Sequence, residues 1–271
     1  IELCLVGSEM CIRDSLYISR MLTTKQDEIK DFKKGLLPIL WPVLVICGLI
    51  LPADFSTAAM LLIVCFTMIF IGGAKIKHLV SIVGTAVVGF LFLILLNMAF
   101  PGLLPRVDTW EKRMMSYGSG DKQENYQAEM AKRAVANGFL FGKGPGRGHV
   151  KNDLYSAQSD FIYASSIEEF GSIFGGIGLL LLYMILFFRA IRIMNKVDSK
   201  FAFYLVFGLS FMLIFQSFIN MGVGVNLFPV TGQPLPLISM GGTSILFTCI
   251  SLGVILNVSD TVYTDNKYEL F

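Results

Sequence analysis

Long apolar runs separated by short charged turns dominate this chain. A membrane helix needs about 20 mostly apolar residues, and charge-free runs of that order occur at Gly35–Ala53, Phe55–Ala74, Leu79–Pro105 and Phe170–Phe188. From Phe201 to Ser259 there is no Asp, Glu, Lys, Arg or His, and the Pro/Gly-rich stretch Gly222–Gly242 divides that region into two further helices. The pattern predicts an all-α, polytopic membrane bundle with about six spans.

The charged turns predict its orientation. Lys25–Lys34 carries four lysines, Ala74–His78 two, and Arg189–Lys200 two arginines and two lysines. These are alternate turns, so they are expected on the cytoplasmic side, and the long loop at about 101–160 is expected outside. That loop holds nine basic and seven acidic residues, but the positive-inside bias weakens in loops of this length. Its middle, Asn125–Asn137, lacks Pro and Gly and is rich in helix formers, which predicts a short helix lying on or dipping into the interface. Gly138, Gly142, Gly144, Gly146 and Gly148 follow. They form either a plain flexible loop or a backbone that approaches a ligand closely.

Composition narrows the function. The chain is 54% hydrophobic and only 15% charged, with a mean hydropathy of +0.66, which excludes an ordinary soluble domain. A net charge of +2 without a basic stripe argues against a nucleic-acid partner. Five cysteines without C-x-x-C spacing and two distant histidines, His78 and His149, offer neither a zinc site nor a Ser/His/Asp hydrolase. Residues 1–15 fit none of the pattern and are too interrupted for a signal peptide. They are expected to be a non-native or misjoined leader, with residues 16–271 forming part of one membrane domain.

Ionisable groups bordering apolar helices cost roughly 2.5–3.5 kcal/mol at membrane depth and mark site residues by default. Four stand out: Asp54 in a Pro-Ala-Asp turn, Asp160 before Phe161, and the pair Glu168 and Glu169. Asp160 reads equally as a helix N-cap, and the plainer reading of the glutamates is a buried partner for a basic or polar group elsewhere. On a continuous helix Glu168 would lie about 80° around from Asp160 and two turns deeper, so that both could border one cavity. Arg106, Lys112, Arg113, His149 and Lys151 gather near Asp160 in sequence, and guanidinium and ammonium groups there suit a diphosphate ligand. Asn220 precedes a segment dense in Thr231, Gln233, Ser239, Thr243 and Ser244, interrupted by prolines and paired glycines. Irregular backbone there must line protein or water.

These residues occur in an order that resembles the SEDS family of peptidoglycan glycosyltransferases, whose division and elongation members are FtsW and RodA. The resemblance runs from about Lys30 to Val258 through KDF at 30–32, ADFSTA at 53–58, Tyr126-Gln127, GKGPG at 142–146, SDFIYASSIEEFG at 159–171 and NMGV…PVTGQPLPLISMGGTS at 220–244. It is nearer the division type. The resemblance implies about ten spans, of which this chain holds the C-terminal ones, in the bacterial cytoplasmic membrane. It implies lipid II and an undecaprenyl-diphosphate-linked glycan as substrates, with a class B penicillin-binding transpeptidase and division proteins as partners. It implies Asp160 as general base and Arg106, Arg113 and Lys151 as diphosphate contacts, with a divalent cation as an open option. Tyr126, Gln127, Glu168, Asn220, Thr231 and Ser244 complete the expected substrate-binding set. The chain departs from the family at Leu154–Asp160, where the usual Pro, Glu and His are absent, so no metal or catalytic role is carried onto Ser156 or Gln158. A lipid flippase remains the competing class, since transporters also place broken helices at membrane depth. A non-catalytic division scaffold is the third.

Overall fold

The computed structural model describes residues 2–51, 54–85, 89, 122–148 and 159–268. Its elements are α1 (Glu2–Thr24), a π-helical turn (Phe32–Leu36) that runs into α2 (Leu37–Ile50), α3 (Phe55–Ile71) and α4 (Ile76–Thr85). Then come α5 (Lys122–Gly138), α6 (Ile162–Gly171), a second π-helical stretch (Ser172–Gly178), α7 (Leu179–Met194), α8 (Lys200–Gly224) and α9 (Gly242–Tyr268). Among the described residues, four stretches are long and apolar enough to cross a membrane: Phe32–Ile50, Ile162–Met194, Lys200–Gly224 and Gly242–Val262. The shorter apolar helices α3 and α4 stand at the second and third expected spans. Most of the third expected span, Leu79–Pro105, lies outside the described residues.

The hub is α8, which packs against α1, α3, α5, α6, α7 and α9. Its sequence explains why. It carries no charge after Lys200, its buried Ser210 and Ser217 donate within the helix to Phe207 O and Leu213 O, and its Gln216 and Asn220 donate to carbonyls of neighbouring segments. With nothing to keep in water, all its faces can be enclosed. The helix α1 runs through the stretch read as a foreign leader, and Ile18 and Leu22 join the apolar core while Asp14 is buried with Oδ2 unbonded.

The three basic turns gather at one end of the bundle. Gln26 reaches Tyr204, the Phe32 ring meets His78 at 5.4 Å, and Gly72 packs against Leu22 and Ile29. The Asp54 and Asp160 turns meet at the opposite end, hereafter the Asp160 end, through Gln233 and Asn220. This matches alternate turns on alternate sides.

The fourth expected span differs from its reading as one helix. It begins at Ile162 and breaks at Gly171, where φ is +82° and ψ 169°. A break strands main-chain groups, and at membrane depth each needs a partner. The turn after α5 supplies them. Ser172 N–H donates to Phe139 O (2.9 Å) and Ile173 N–H to Leu140 O (3.4 Å), while Lys143 and Gly144 N–H donate to Glu168 O (3.0 Å) and Glu169 O (2.9 Å). The chains are so close that a Cβ on Gly171 would lie 2.3 Å from Leu140 O, and one on Gly142 would lie 2.4 Å from Glu169 O.

Replacing Gly171 by Ala adds this collision to a backbone conformation that is essentially confined to glycine and costs an L-residue about 1–3 kcal/mol. At Gly146 φ is similar, +76°, but the space around a Cβ is open. Thermal unfolding of the full-length protein in detergent should therefore show Gly171→Ala losing at least about 2 kcal/mol and Gly146→Ala clearly less. Equal losses would mean that the close approach of the two chains contributes nothing.

Candidate active site

Asp160 sits in the turn before α6. The helix starts one residue later than an N-cap at Asp160 requires: its N-cap is Phe161, which makes no side-chain capping bond. The Asp160 carboxyl is therefore not committed to helix N–H groups, and the capping reading gives way. Asp160 is held by its main chain instead. Asn220 Nδ2 donates to Asp160 O at 3.1 Å, and Ser239 Oγ donates to Ser159 O at 2.7 Å. Burial pushes the Asp160 carboxyl above the ordinary carboxylate range, and the Ser159 hydroxyl pulls it part of the way back.

Asn220 is enclosed in α8 and ties three elements together. Its Nδ2 also donates to Gln233 O at 2.7 Å, while its Oδ1 is buried without a partner among the described residues. Gln233 in turn donates through Nε2 to Thr57 Oγ1 at 2.8 Å and to Asp54 Oδ2 at 3.4 Å. Asp54 caps α3, accepting from Ser56 and Thr57 N–H and from the Thr57 hydroxyl. Asp54 thus anchors the segment at 225–241. That segment is pinned further by Gln216 donating to Pro234 O (3.0 Å) and by the Tyr183 hydroxyl donating to Pro236 O. Its irregular backbone has partners in protein, as a membrane requires.

Glu168 lies on the enclosed side of α6. It is 0% exposed, accepts from Lys143 Nζ and Asn137 Nδ2, each at 3.4 Å, and packs against Gly148. An enclosed carboxylate paired in this way offers no surface to a substrate, which corrects its place in the expected substrate-binding set. The plainer expectation of a buried partner for a basic group holds, and the group comes from the loop. Asn220, with 1% exposure, is likewise a positioning residue in this geometry, and Ser244 is buried at the start of α9. Thr231 is half-buried in the 225–241 segment.

The other expected contacts lie on the loop. Gln127 precedes Ala131 by one turn on α5, and Ala131 and Ala134 pack with Phe161, Ala164 and Val223, so Gln127 shares the face that meets the Asp160 turn. Tyr126 beside it is exposed. Arg106, Arg113 and Lys151, and His149 with them, lie outside the described residues. Among the described residues no three His, Cys, Asp or Glu side chains come together, so these residues offer no protein cage for a divalent cation. Lys143, Asn137 and Tyr183 escaped sequence reasoning. A lone lysine between glycines, followed by an acidic pair inside an apolar span, was the available signal for the first.

Comparison with known proteins decides the family. A family model described as a cell cycle protein, FtsW/RodA/SpoVE, matches residues 10–264. The chain belongs to the FtsW/RodA/SpoVE family. Stage V sporulation protein E of Bacillus subtilis (strain 168) is 34% identical over 249 residues, covering 90% of this chain and 65% of its own length. A probable peptidoglycan glycosyltransferase FtsW of Escherichia coli O6:H1 is 31% identical over 251 residues, covering 89% and 58%. The chain therefore spans less than two thirds of the length of these relatives. Among solved structures, a peptidoglycan synthase complex coordinating polymerization and crosslinking superposes with a TM-score of 0.63 at 24% identity, over 90% of this chain and 68% of that one. A variant of the Thermus thermophilus rod shape determining protein RodA gives 0.55 at 24% identity, over 92% and 66%. The membrane-helical fold of this family member is thereby shared with both.

Removing one partner of a buried pair strands the other charge. Lys143→Met should cost the full-length protein roughly 2–3 kcal/mol, below the usual range because Lys143 is partly solvated. Adding Glu168→Gln should return part of that loss in thermal unfolding. If the double variant is no more stable than Lys143→Met alone, the pair is not what that substitution breaks.

Proposed function

We propose that the chain is part of a peptidoglycan glycosyltransferase of the bacterial cytoplasmic membrane that polymerises lipid II, with Asp160 as its general base. The observation that carries this reading is the arrangement of Asp160: its main chain is fixed by Asn220 and its neighbour's by Ser239, while its carboxyl is left uncapped and half-buried. A positioned carboxylate with a raised proton affinity is suited to take a proton from a sugar hydroxyl. The names of the relatives and the matching family model support the same activity.

In this mechanism the acceptor sugar hydroxyl gives its proton to Asp160 as its oxygen forms a bond to the donor's anomeric carbon. The bond from that carbon to the diphosphate oxygen breaks, and the undecaprenyl diphosphate leaves with the electron pair. One displacement inverts the anomeric centre, and no acid is needed because diphosphate is a good leaving group. Arg106, Arg113 and Lys151 are proposed to stabilise the developing charge, with a divalent cation as an option. Gln127 and Tyr126, on the helix that packs beside the Asp160 turn, are proposed sugar or diphosphate contacts. The solved peptidoglycan synthase complex, which shares this fold, makes a class B penicillin-binding transpeptidase the proposed partner.

The test uses full-length protein reconstituted in liposomes with lipid II. Asp160→Asn keeps the shape and removes the base, so polymerisation should fall by about 10²–10⁴-fold while transbilayer movement of lipid II is unchanged. Persisting polymerisation with lost transbilayer movement would replace the enzyme by a flippase. A scaffold predicts instead that neither the native protein nor the variant polymerises lipid II and that Asp160→Asn leaves growth and partner binding untouched.

A further inference from the structure

The turn between α5 and the break in the Ile162–Met194 span carries three consecutive large apolar residues. Phe139 is 75% exposed, Leu140 47% and Phe141 73%. In a loop surrounded by water such a cluster would be costly and prone to association. Its hydrogen bonds fix how deep it lies. Arg189 is the innermost charge at the far end of the span, and a hydrocarbon core takes about 20 helical residues, so the boundary on the Asp160 side falls near residue 169. Phe139 and Leu140 are bonded through their carbonyls to Ser172 and Ile173, at or inside that boundary.

Three further observations agree with that depth. Phe174, Ile177, Leu181, Ile185 and Phe188 are spaced three or four apart along the span after the break, and Phe170 adjoins the break on its other side. All six are exposed, which is the pattern of a face turned to lipid. The turn leaves few of its own polar groups bare: Gly142 N–H donates to Gly138 O, and the Lys143 and Gly144 N–H groups and the Phe139 and Leu140 carbonyls are all bonded. Lys143 turns its ammonium group inward to the enclosed Glu168, as charged groups at membrane depth do.

We propose that residues 138–144 form a re-entrant wedge whose Phe139, Leu140 and Phe141 side chains lie against the acyl chains of the leaflet on the Asp160 side. The wedge replaces the surface that the break removes from the span, and the Lys143–Glu168 pair closes its protein-facing side. Phe139 adopts φ +43°, a conformation that bulky residues rarely take. That conformation directs the aromatic outward while its carbonyl stays on the broken helix. This inference does not depend on which reaction the chain catalyses.

The test is depth-resolved quenching in the full-length protein, with native tryptophans, Trp41 and Trp110 among them, replaced by Phe. Phe139→Trp and Phe141→Trp are made separately, each conserving an aromatic, with the exposed Arg147→Trp as a reference just beyond the turn. Each is reconstituted in phosphatidylcholine vesicles carrying bromine at acyl positions 6 and 7, and each is also titrated with aqueous iodide. The wedge predicts that bromolipid quenches Trp at 139 and 141 several-fold more than iodide does, with the order reversed at 147. Preferential quenching by iodide at 139 and 141 would put the turn in water. Protection from both quenchers would mean that protein covers it. Either result overturns the proposal.

Discussion

A membrane supplies no hydrogen bonds, so every main-chain N–H and C=O that leaves a helix inside it needs a partner made of protein. Two stretches here leave the helix, and each is answered in detail. At Gly171 the break frees carbonyls at Glu168 and Glu169 and amides at Ser172 and Ile173, and the loop turn at 139–144 meets all four. Across 225–241 the carbonyls of Gln233, Pro234 and Pro236 accept from Asn220, Gln216 and Tyr183. The side chains that make the Asp160 end polar act first as substitutes for missing helical bonds.

That constraint also positions Asp160. The residue stands where α6, α8 and the irregular 225–241 segment meet, and the bonds that satisfy this junction end on the carbonyls of Ser159 and Asp160. Its carboxyl does not cap the helix and is met by the Ser159 hydroxyl. Glu168 illustrates the opposite outcome. Enclosed against Lys143, it is spent on joining the loop to α6. Two carboxylates eight positions apart thus take different roles because of what surrounds each.

Much of this was legible in the sequence. The apolar runs gave the spans, and the basic turns at 25–34, 74–78 and 189–200 do gather at one end, because charge is costly anywhere else. Asp54, Asp160, Glu168 and Asn220 were marked out by the cost of placing polar groups beside apolar helices, and all four lie at the Asp160 end. What they do there was less legible. In EEFGSIFGGIG nothing short of a backbone angle distinguishes a Gly that interrupts a helix from one that lies within it, so the break at Gly171 was invisible. The helical projection that put Glu168 beside one cavity with Asp160 also assumed a helix running from Asp160, whereas α6 begins only at Ile162, and nothing in the sequence marked Lys143 as the partner of Glu168. Capping stood beside catalysis as a reading of Asp160 because Asp caps helices so often; the carbonyls of Ser159 and Asp160 are instead held by Ser239 and Asn220, far away in sequence.

The central claim is that Asp160 accepts the proton, in surroundings that raise its affinity for it. The most direct measurement is the pH dependence of lipid II polymerisation by the full-length protein, native and with Ser159→Ala. A base must be ionised to act, so activity is lost as pH falls through its pKa, and burial should place that limb above the ordinary aspartate value of about 3.9. The Ser159 hydroxyl favours the ionised form, so its removal should move the limb to still higher pH. An acid limb that Ser159→Ala leaves in place, or a rate with no acid limb at all, would contradict the account.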